Sequence, residues 1–250
     1  MLRTVIGLAC LAWAATAAAQ TPAAAPPKRD IVDARADLNF VNATGNSRTQ
    51  TLGSVADVWV RPDGFGIRNR LAFVRSEARG VLTARQLTYL SRVEHPAGRA
   101  FLFAQYDLLL DRLAGVSSRN SATVGLQFKV AGDAKGVRTL LVFGGVGAAR
   151  ERRVTAAGVS VAVIDTAVLN SGWSYVRKFA NGSEFRDDFR ADVALDRADD
   201  WRLAHTASLA AAINSRVSLK LSHVLRHVNK PPSSFKRTDT VASAGIALRF

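Results

Sequence analysis

The chain is poor in the residues that staple or ligate. It has one cysteine, Cys10, one methionine, and four histidines among 250 residues. A single cysteine excludes an internal disulfide and any cysteine-based metal cluster. Long hydrophobic runs are also missing. The apolar stretches at 5–15 and 140–149 both fall short of the about 20 residues that a membrane helix requires. Acidic charge is the scarcer sign, with 20 Asp and Glu against 34 Lys and Arg and a formal net charge of +14. No internal repeat stands out beyond a rhythm of hairpins.

What is present begins with MLRTVIGLACLAWAATAAAQ, which has a basic start at Arg3, an apolar core from Val5 to about Ala15, and small residues at Ala17 and Ala19. That pattern predicts a secretory signal peptide over 1–19 with cleavage after Ala19. Cys10 lies inside it, so the mature chain is expected to have no thiol, hence no thiolate nucleophile. Gly7 stands three before Cys10, where a lipidated cysteine has an aliphatic residue, so lipidation is not expected. The proline- and alanine-rich TPAAAPPKRD reads as a linker over 20–30. The folded unit is expected over 31–250.

From Ile31 onward the dominant period is two, the mark of a strand with unlike faces. Ala122, Val124, Leu126, Phe128 and Val130 share one face, while Ser121, Thr123, Gln127 and Lys129 share the other with Gly125. Phe185, Phe189, Ala191, Val193 and Leu195 oppose Glu184, Arg186, Asp188, Arg190 and Asp192, with Asp187 alone out of pattern. Val217, Leu219 and Leu221 alternate with Ser218, Lys220 and Ser222, and the chain ends on the same beat in VASAGIALRF. These runs are about 10 to 14 residues long, against about 5 or 6 for soluble strands. A tilted membrane-spanning strand needs about 9 to 11. Hydrocarbon offers no partner to unpaired N–H and C=O groups, so such strands must close on one another. The predicted fold is all-β: a closed antiparallel transmembrane β-barrel of about 12 strands, an even number of the kind bacterial outer-membrane barrels have.

Connections reinforce the count. RPDGFG, EHPAG, AGDAKG, FANGS and INSR carry tight-turn chemistry. SEARGVLTAR, DRLAGVSSRN, AARERRVTAAG, DRADDWR and HVNKPPSSFKR are longer and more charged, as the outer loops of such barrels are; NATGNSR is the short exception. With the amino terminus on the periplasmic side, the first set would be periplasmic turns. The glycine-rich LLVFGGVGAA reads as a bent strand in which Gly144, Gly145 and Gly147 allow curvature or close approach.

Several features together resemble the salt-induced outer-membrane protein family (YdiY-like), which has no agreed biochemical role. They are Phe40-Val41-Asn42 before Thr44-Gly45-Asn46, with Thr49 downstream; Trp201-Arg202-Leu203; Leu219-Lys220; Arg226-His227; Pro231-Pro232; Lys236; Thr238-Asp239-Thr240; and Phe250. The likeness spans essentially the whole mature chain. It implies a cell outer-membrane location, a role in salt or osmotic adaptation, and an assembly signal at Phe250 read by the barrel assembly machinery. His223 departs from the pattern, since the family tends to have an aromatic residue such as tyrosine there.

Candidate chemistry is thin. His95, His205, His223 and His227 are spread over a turn and several strand levels, and no histidine metal site is expected. Outer-membrane lipid hydrolases place a serine two residues after a histidine on one outward face. Here Ala207 follows His205, and Ser208 and Ser222 point the other way, so no enzyme is expected. Asp196, Asp199 and Asp200 in DRADD carry the oxygen ligands calcium takes, yet read better as a solvated turn. FGGVG and DGFG open no helix, so no nucleotide site follows. No cofactor is called for. The basic excess in a secreted chain without basic-aromatic interleaving does not point to nucleic acid. It suits loops facing lipid and lipopolysaccharide phosphates, through Arg79, Arg85, Arg112, Arg119, Arg150, Arg152, Arg153, Lys230, Lys236 and Arg237. Inside, Glu184, Arg186, Asp188, Arg190 and Asp192, with Lys220 and Arg226 two strands away, are expected to form a lumen ladder of alternating charge. Such a ladder fills space and predicts a narrow or plugged lumen with a slight anion preference. An envelope-structural or narrow-pore barrel is the expected function. A lipid hydrolase and a soluble ligand-binding barrel are the alternatives.

Overall fold

The computed structural model describes residues 31–43, 49–133, 136–154, 160–232 and 235–250. The expected signal peptide and linker, with Cys10, and the Thr44-Gly45-Asn46 turn lie outside them. Twelve strands follow one another in order: β1 (Val32–Ala43), β2 (Thr49–Val60), β3 (Gly66–Ala78), β4 (Val81–Ala97), β5 (Ala100–Asp111), β6 (Val116–Gly132), β7 (Arg138–Val154), β8 (Ser160–Lys178), β9 (Glu184–Ala194), β10 (Trp201–Ala212), β11 (Val217–Val228) and β12 (Thr238–Arg249). A 3-10 turn at Arg112–Ala114 is the one helical element among the described residues. Each strand pairs antiparallel with its neighbours, and β1 pairs with β12, so the sheet is a closed barrel.

Register fixes which side chains point where. Asp37 lies opposite Val55, Asp57 opposite Arg70, Arg70 opposite Leu90, and Leu90 opposite Asp107. The row passes the inward positions from strand to strand. The alternating face at Val124, Leu126 and Phe128 is exposed, as are Leu38, Phe40, Leu102, Val146, Leu219, Leu221 and Ile246. The buried set is mostly polar: Gln86, Arg92, Gln105, Thr123, Gln127, Glu151, Asn170 and Glu184. Apolar outside and polar inside is the reverse of a water-soluble barrel, and it is the arrangement a hydrocarbon surround selects.

The ladder closes least completely at β1–β12, where register runs over only Arg35↔Arg249 to Asn39↔Gly245. It is extended by the Phe250 amide donating to the Ala34 carbonyl at 3.0 Å. At Gly245 an added Cβ would sit 2.2 Å from the Leu38 carbonyl oxygen, so the seam is drawn tight there.

The expected contrast between short turns and long charged loops is corrected by the structure. SEARGVLTAR, DRLAGVSSRN and AARERRVTAAG are mostly strand. Arg79 and Gly80 both adopt positive φ, 53° and 78°, and close β3 on β4 as a two-residue turn. That is the geometry whose twist matches paired strands. The pairing continues because nothing interrupts it. As a result β4, β6 and β7 reach 17 residues and β8 reaches 19, well beyond the span of about 9 to 11 needed to cross. The end of the barrel opposite Val32 and Arg249 is here called the far end. The long connection there is 229–237, between β11 and β12. His95, expected in a turn, is in β4, its Nδ1 2.6 Å from the Gly64 carbonyl oxygen.

Of the three glycines in β7, two act by close approach. A Cβ at Gly147 would fall 2.0 Å from the Ala122 carbonyl oxygen, and one at Gly145 2.6 Å from that of Val124. Gly144 has open space around its Cβ position, so the expected role in close approach does not extend to it. Replacing Gly147 by valine is expected to cost about 1–3 kcal/mol as overpacking. The check is a lower urea midpoint for loss of the compact heat-modifiable band, with Gly144→Val nearly neutral.

The barrel lumen as candidate functional site

The five residues of the charge ladder lie on the inward face of β9. Glu184, Arg186, Asp188, Arg190 and Asp192 pair in register with Ala210, Ser208, Thr206, Ala204 and Arg202 of β10. Lys220 and Arg226 face inward from β11. The ladder does more than alternate sign along one strand, because several members reach across the lumen. Arg190 donates to Asp107 of β5 at 2.8 Å and to Asp192 beside it at 3.2 Å. Arg35 of β1 donates to Glu184 at 2.9 Å, with Arg186 and Arg249 also near that carboxylate. Lys220 meets Asp37 of β1 at 2.5 Å. Ser174 donates to Asp188 at 2.6 Å. In the cyclic strand order β9 is four places from both β5 and β1, so the Arg190–Asp107 and Arg35–Glu184 bonds strut the barrel from wall to wall, while Ser174–Asp188 joins neighbouring strands and Lys220–Asp37 joins strands two places apart.

Two further clusters complete the inner wall, and neither was legible as a site in the sequence. Glu151 of β7, 1% exposed, accepts from Arg119, Arg153 and Arg202 at 3.2, 2.7 and 2.6 Å. It joins β6, β7 and β10 near the far end. Arg92 of β4 sits over the Phe103 ring at 3.8 Å and donates to Glu94, Gln105 and Gln127. Phe103 meets Phe143 edge-on at 6.1 Å, in the space left by Gly125 and Gly145. This half of the lumen, with Val168 and Asn170, is close-packed. The signal for both clusters was the alternation itself, which in ARERRV sends Glu151 and Arg153 inward and Arg150 and Arg152 outward.

Two lumen arginines are left without a close acceptor. Arg68 engages Asp57 with two hydrogen bonds, at 2.9 and 2.5 Å, leaving Arg70 at 3.7 Å from the same carboxylate. Arg226 makes no hydrogen bond or ion pair within 4 Å among the described residues. A guanidinium in that condition is a ready partner for a passing small anion.

The residues expected as outer-loop cations divide. Lys230, Lys236 and Arg237 are in the 229–237 connection. Arg150, Arg152 and Arg153 are not in a loop: all three belong to β7, whose pairing with β8 runs on to Val154. Arg150 pairs on the outside with Asp165 at 2.7 Å, and Arg153 turns into the lumen toward Glu151. Arg119 likewise faces inward. Asp196, Asp199 and Asp200 do not converge. Asp196 accepts from Thr166, Asp199 from Lys230, and Asp200 lies 3.5 Å from Arg153. The Lys230 ammonium holds the Asp199 carboxyl below its ordinary range, and the Thr166 hydroxyl does the same for Asp196. Both clasps are complete at neutral pH and are lost only as pH falls through those lowered values. His205 faces outward and Ser208 inward, so imidazole and hydroxyl are on opposite sides of the wall.

The chain belongs to the family described as protein of unknown function, DUF481, whose model matches residues 36–250. No curated protein sequence matches it. Among solved structures it is similar to the translocator domain of the autotransporter NalP from Neisseria meningitidis, at 14% identity over 88% of this chain and 87% of that one, TM-score 0.45. It is also similar to an anion-selective porin from Comamonas acidovorans, at 9% identity over 88% and 98%, TM-score 0.40. A bacterial polysaccharide outer-membrane secretin matches at 9% identity over 90% and 99%, TM-score 0.41. Likenesses this distant carry no functional argument.

Removing the hub carboxylate tests the lumen directly. Glu151→Ala would leave three arginines facing one another in a buried site. It is expected to destabilise the barrel by about 3–5 kcal/mol, read as a lower urea midpoint in lipid. Replacing Asp165, whose pair with Arg150 is fully exposed, is expected to leave the midpoint unchanged.

Proposed function

We propose that the protein is an outer-membrane β-barrel whose lumen is a narrow, charge-strutted passage for small inorganic ions, and that it acts in the envelope's adaptation to salt. The carrying observation is the pair of cross-lumen contacts, Arg190–Asp107 and Arg35–Glu184, which tie together strands a third of the circumference apart. Struts of this kind subdivide the lumen, so solutes larger than hydrated ions are excluded while water and ions thread between side chains. Arg70 and Arg226 favour anions over cations on the way. Adaptation to salt comes from the family resemblance, supported by a physical link. Charge pairs in water-reached space weaken as ionic strength rises, the screening length falling from about 10 Å at 0.1 M to about 3 Å at 1 M. No catalysis is proposed.

Partners follow from the two surfaces. Exposed arginines and lysines at the far end, among them Arg152, Lys236 and Arg237, suit lipopolysaccharide phosphates if that end faces outward. Phe250, 77% exposed at the end of β12, suits recognition by the barrel assembly machinery.

Conductance of the refolded protein in planar bilayers, at several salt concentrations, tests the reading. The native barrel is expected to show small unitary currents with a modest anion preference. Arg190→Ala should raise the unitary conductance at least twofold, and Arg226→Glu should reverse the preference toward cations. A folded barrel that passes no current at any salt concentration would remove the pore and leave a purely structural role.

A further inference from the structure

The outer wall carries a polar group that hydrocarbon does not explain. Asp187, the residue out of pattern in β9, faces outward. It accepts from Trp173 Nε1 at 2.9 Å and lies 2.7 Å from His205 Nε2. In register it stands beside Ala207, and Ala207 beside His223. His223 is exposed on the same wall and makes no hydrogen bond with another described residue. His205 and His223 stand in the interior of β10 and β11, and Asp187 is the fourth residue of β9. Ionisable side chains at that depth are costly against lipid.

Shape adds an independent observation. Around Ala207 the wall has a shallow depression of about 560 Å³, floored by Ala207, Ala242 and Ala244 and rimmed by Phe185, Leu221 and His223. The bulky residues, Phe185 and Phe189, are on β9, the strand flanking β10, and the small ones, Ala242 and Ala244, are on β12, the strand flanking β11 on the other side. Counted from the ends at Ala212 and Val217, His205 and His223 stand at nearly the same height on neighbouring strands. The patch is thus self-complementary about a line between β10 and β11.

We infer that this face docks a second copy of the same chain, through a two-fold axis parallel to the barrel axis and running between β10 and β11. The axis brings the β9 phenylalanines of one copy onto the β12 alanines of the other. It also sets each His223 against the partner's Asp187–His205 pair, whose carboxylate has lone pairs to spare. Close approach at small residues and hydrogen bonding between polar groups are the forces that associate proteins in lipid, where apolar burial offers none. A symmetric interface of this type uses one patch twice. The inference rests on bilayer placement and is independent of conduction.

The test is disulfide trapping in lipid vesicles, with Cys10 replaced. Ala207→Cys sits next to the axis and is expected to cross-link to a dimer on mild oxidation, at least tenfold more than Val124→Cys on the outward face of β6. Light scattering in nanodiscs should give a dimer for the native chain, and His223→Leu and Ala242→Trp should each shift it at least fivefold toward monomer. Retention of heat-modifiable mobility and vesicle association shows that each variant is folded and embedded. A folded, embedded native chain that is monomeric overturns the inference, as does Ala207→Cys cross-linking no better than Val124→Cys. An acyl chain found in the depression of a monomer would do the same.

Discussion

Backbone amides and carbonyls have no partner in hydrocarbon except one another, and closure is the constraint from which the rest of this barrel descends. A β1–β12 seam is required because an open edge would leave a row of unbonded groups in the lipid. Once the ring is closed, the pleat gives each strand one face outside and one inside. Lipid claims the first for Leu, Val, Phe and Ala. The second receives the polar residues and encloses a space that has to be filled or wetted.

The filling is electrostatic. Acidic residues are the minority in this chain, yet most of those in the strands point inward, where Asp57, Asp107, Glu151, Glu184 and Asp192 each meet arginine. The basic excess is consequently displaced to the ends and the outer rim, at residues such as Arg79, Arg152, Lys236 and Arg237. A strongly basic protein can thus have a nearly balanced interior. Pairing limits the desolvation cost of lining a confined space with charge. It also leaves the few inadequately matched cations, Arg70 and Arg226, as the groups able to hand an anion along.

The fold was legible in the sequence because period two is unambiguous over twelve-residue runs. The strand number, the outward set at Val124 to Phe128 and the inward set from Glu184 to Asp192 all follow from counting by twos. Connections were less legible. Arg79-Gly80 forms a positive-φ turn without the Asn-Gly or Asp-Gly that advertises one, so strand continuing to Val81 was read as loop, and the same error placed Arg150, Arg152 and Arg153 in solvent. Cross-lumen partners were not legible at all. Which arginine meets Asp107 or Glu151 depends on strand order and on side-chain reach across the ring, and neither is a local property. Asp187 was visible as a break in the alternation, but its meaning required His205, Ala207 and His223 to be set beside it.

The central claim is that alternate residues of one strand meet two different solvents. Single cysteines placed at Ala122, Thr123, Val124, Leu126, Gln127 and Phe128 of β6, each carrying an environment-sensitive fluorophore, test it in lipid vesicles. Lipid-borne quenchers should act at 122, 124, 126 and 128 and not at 123 and 127, whose side chains are buried in the lumen. Uniform quenching from water along the whole run, or a period nearer three and a half, would contradict the account.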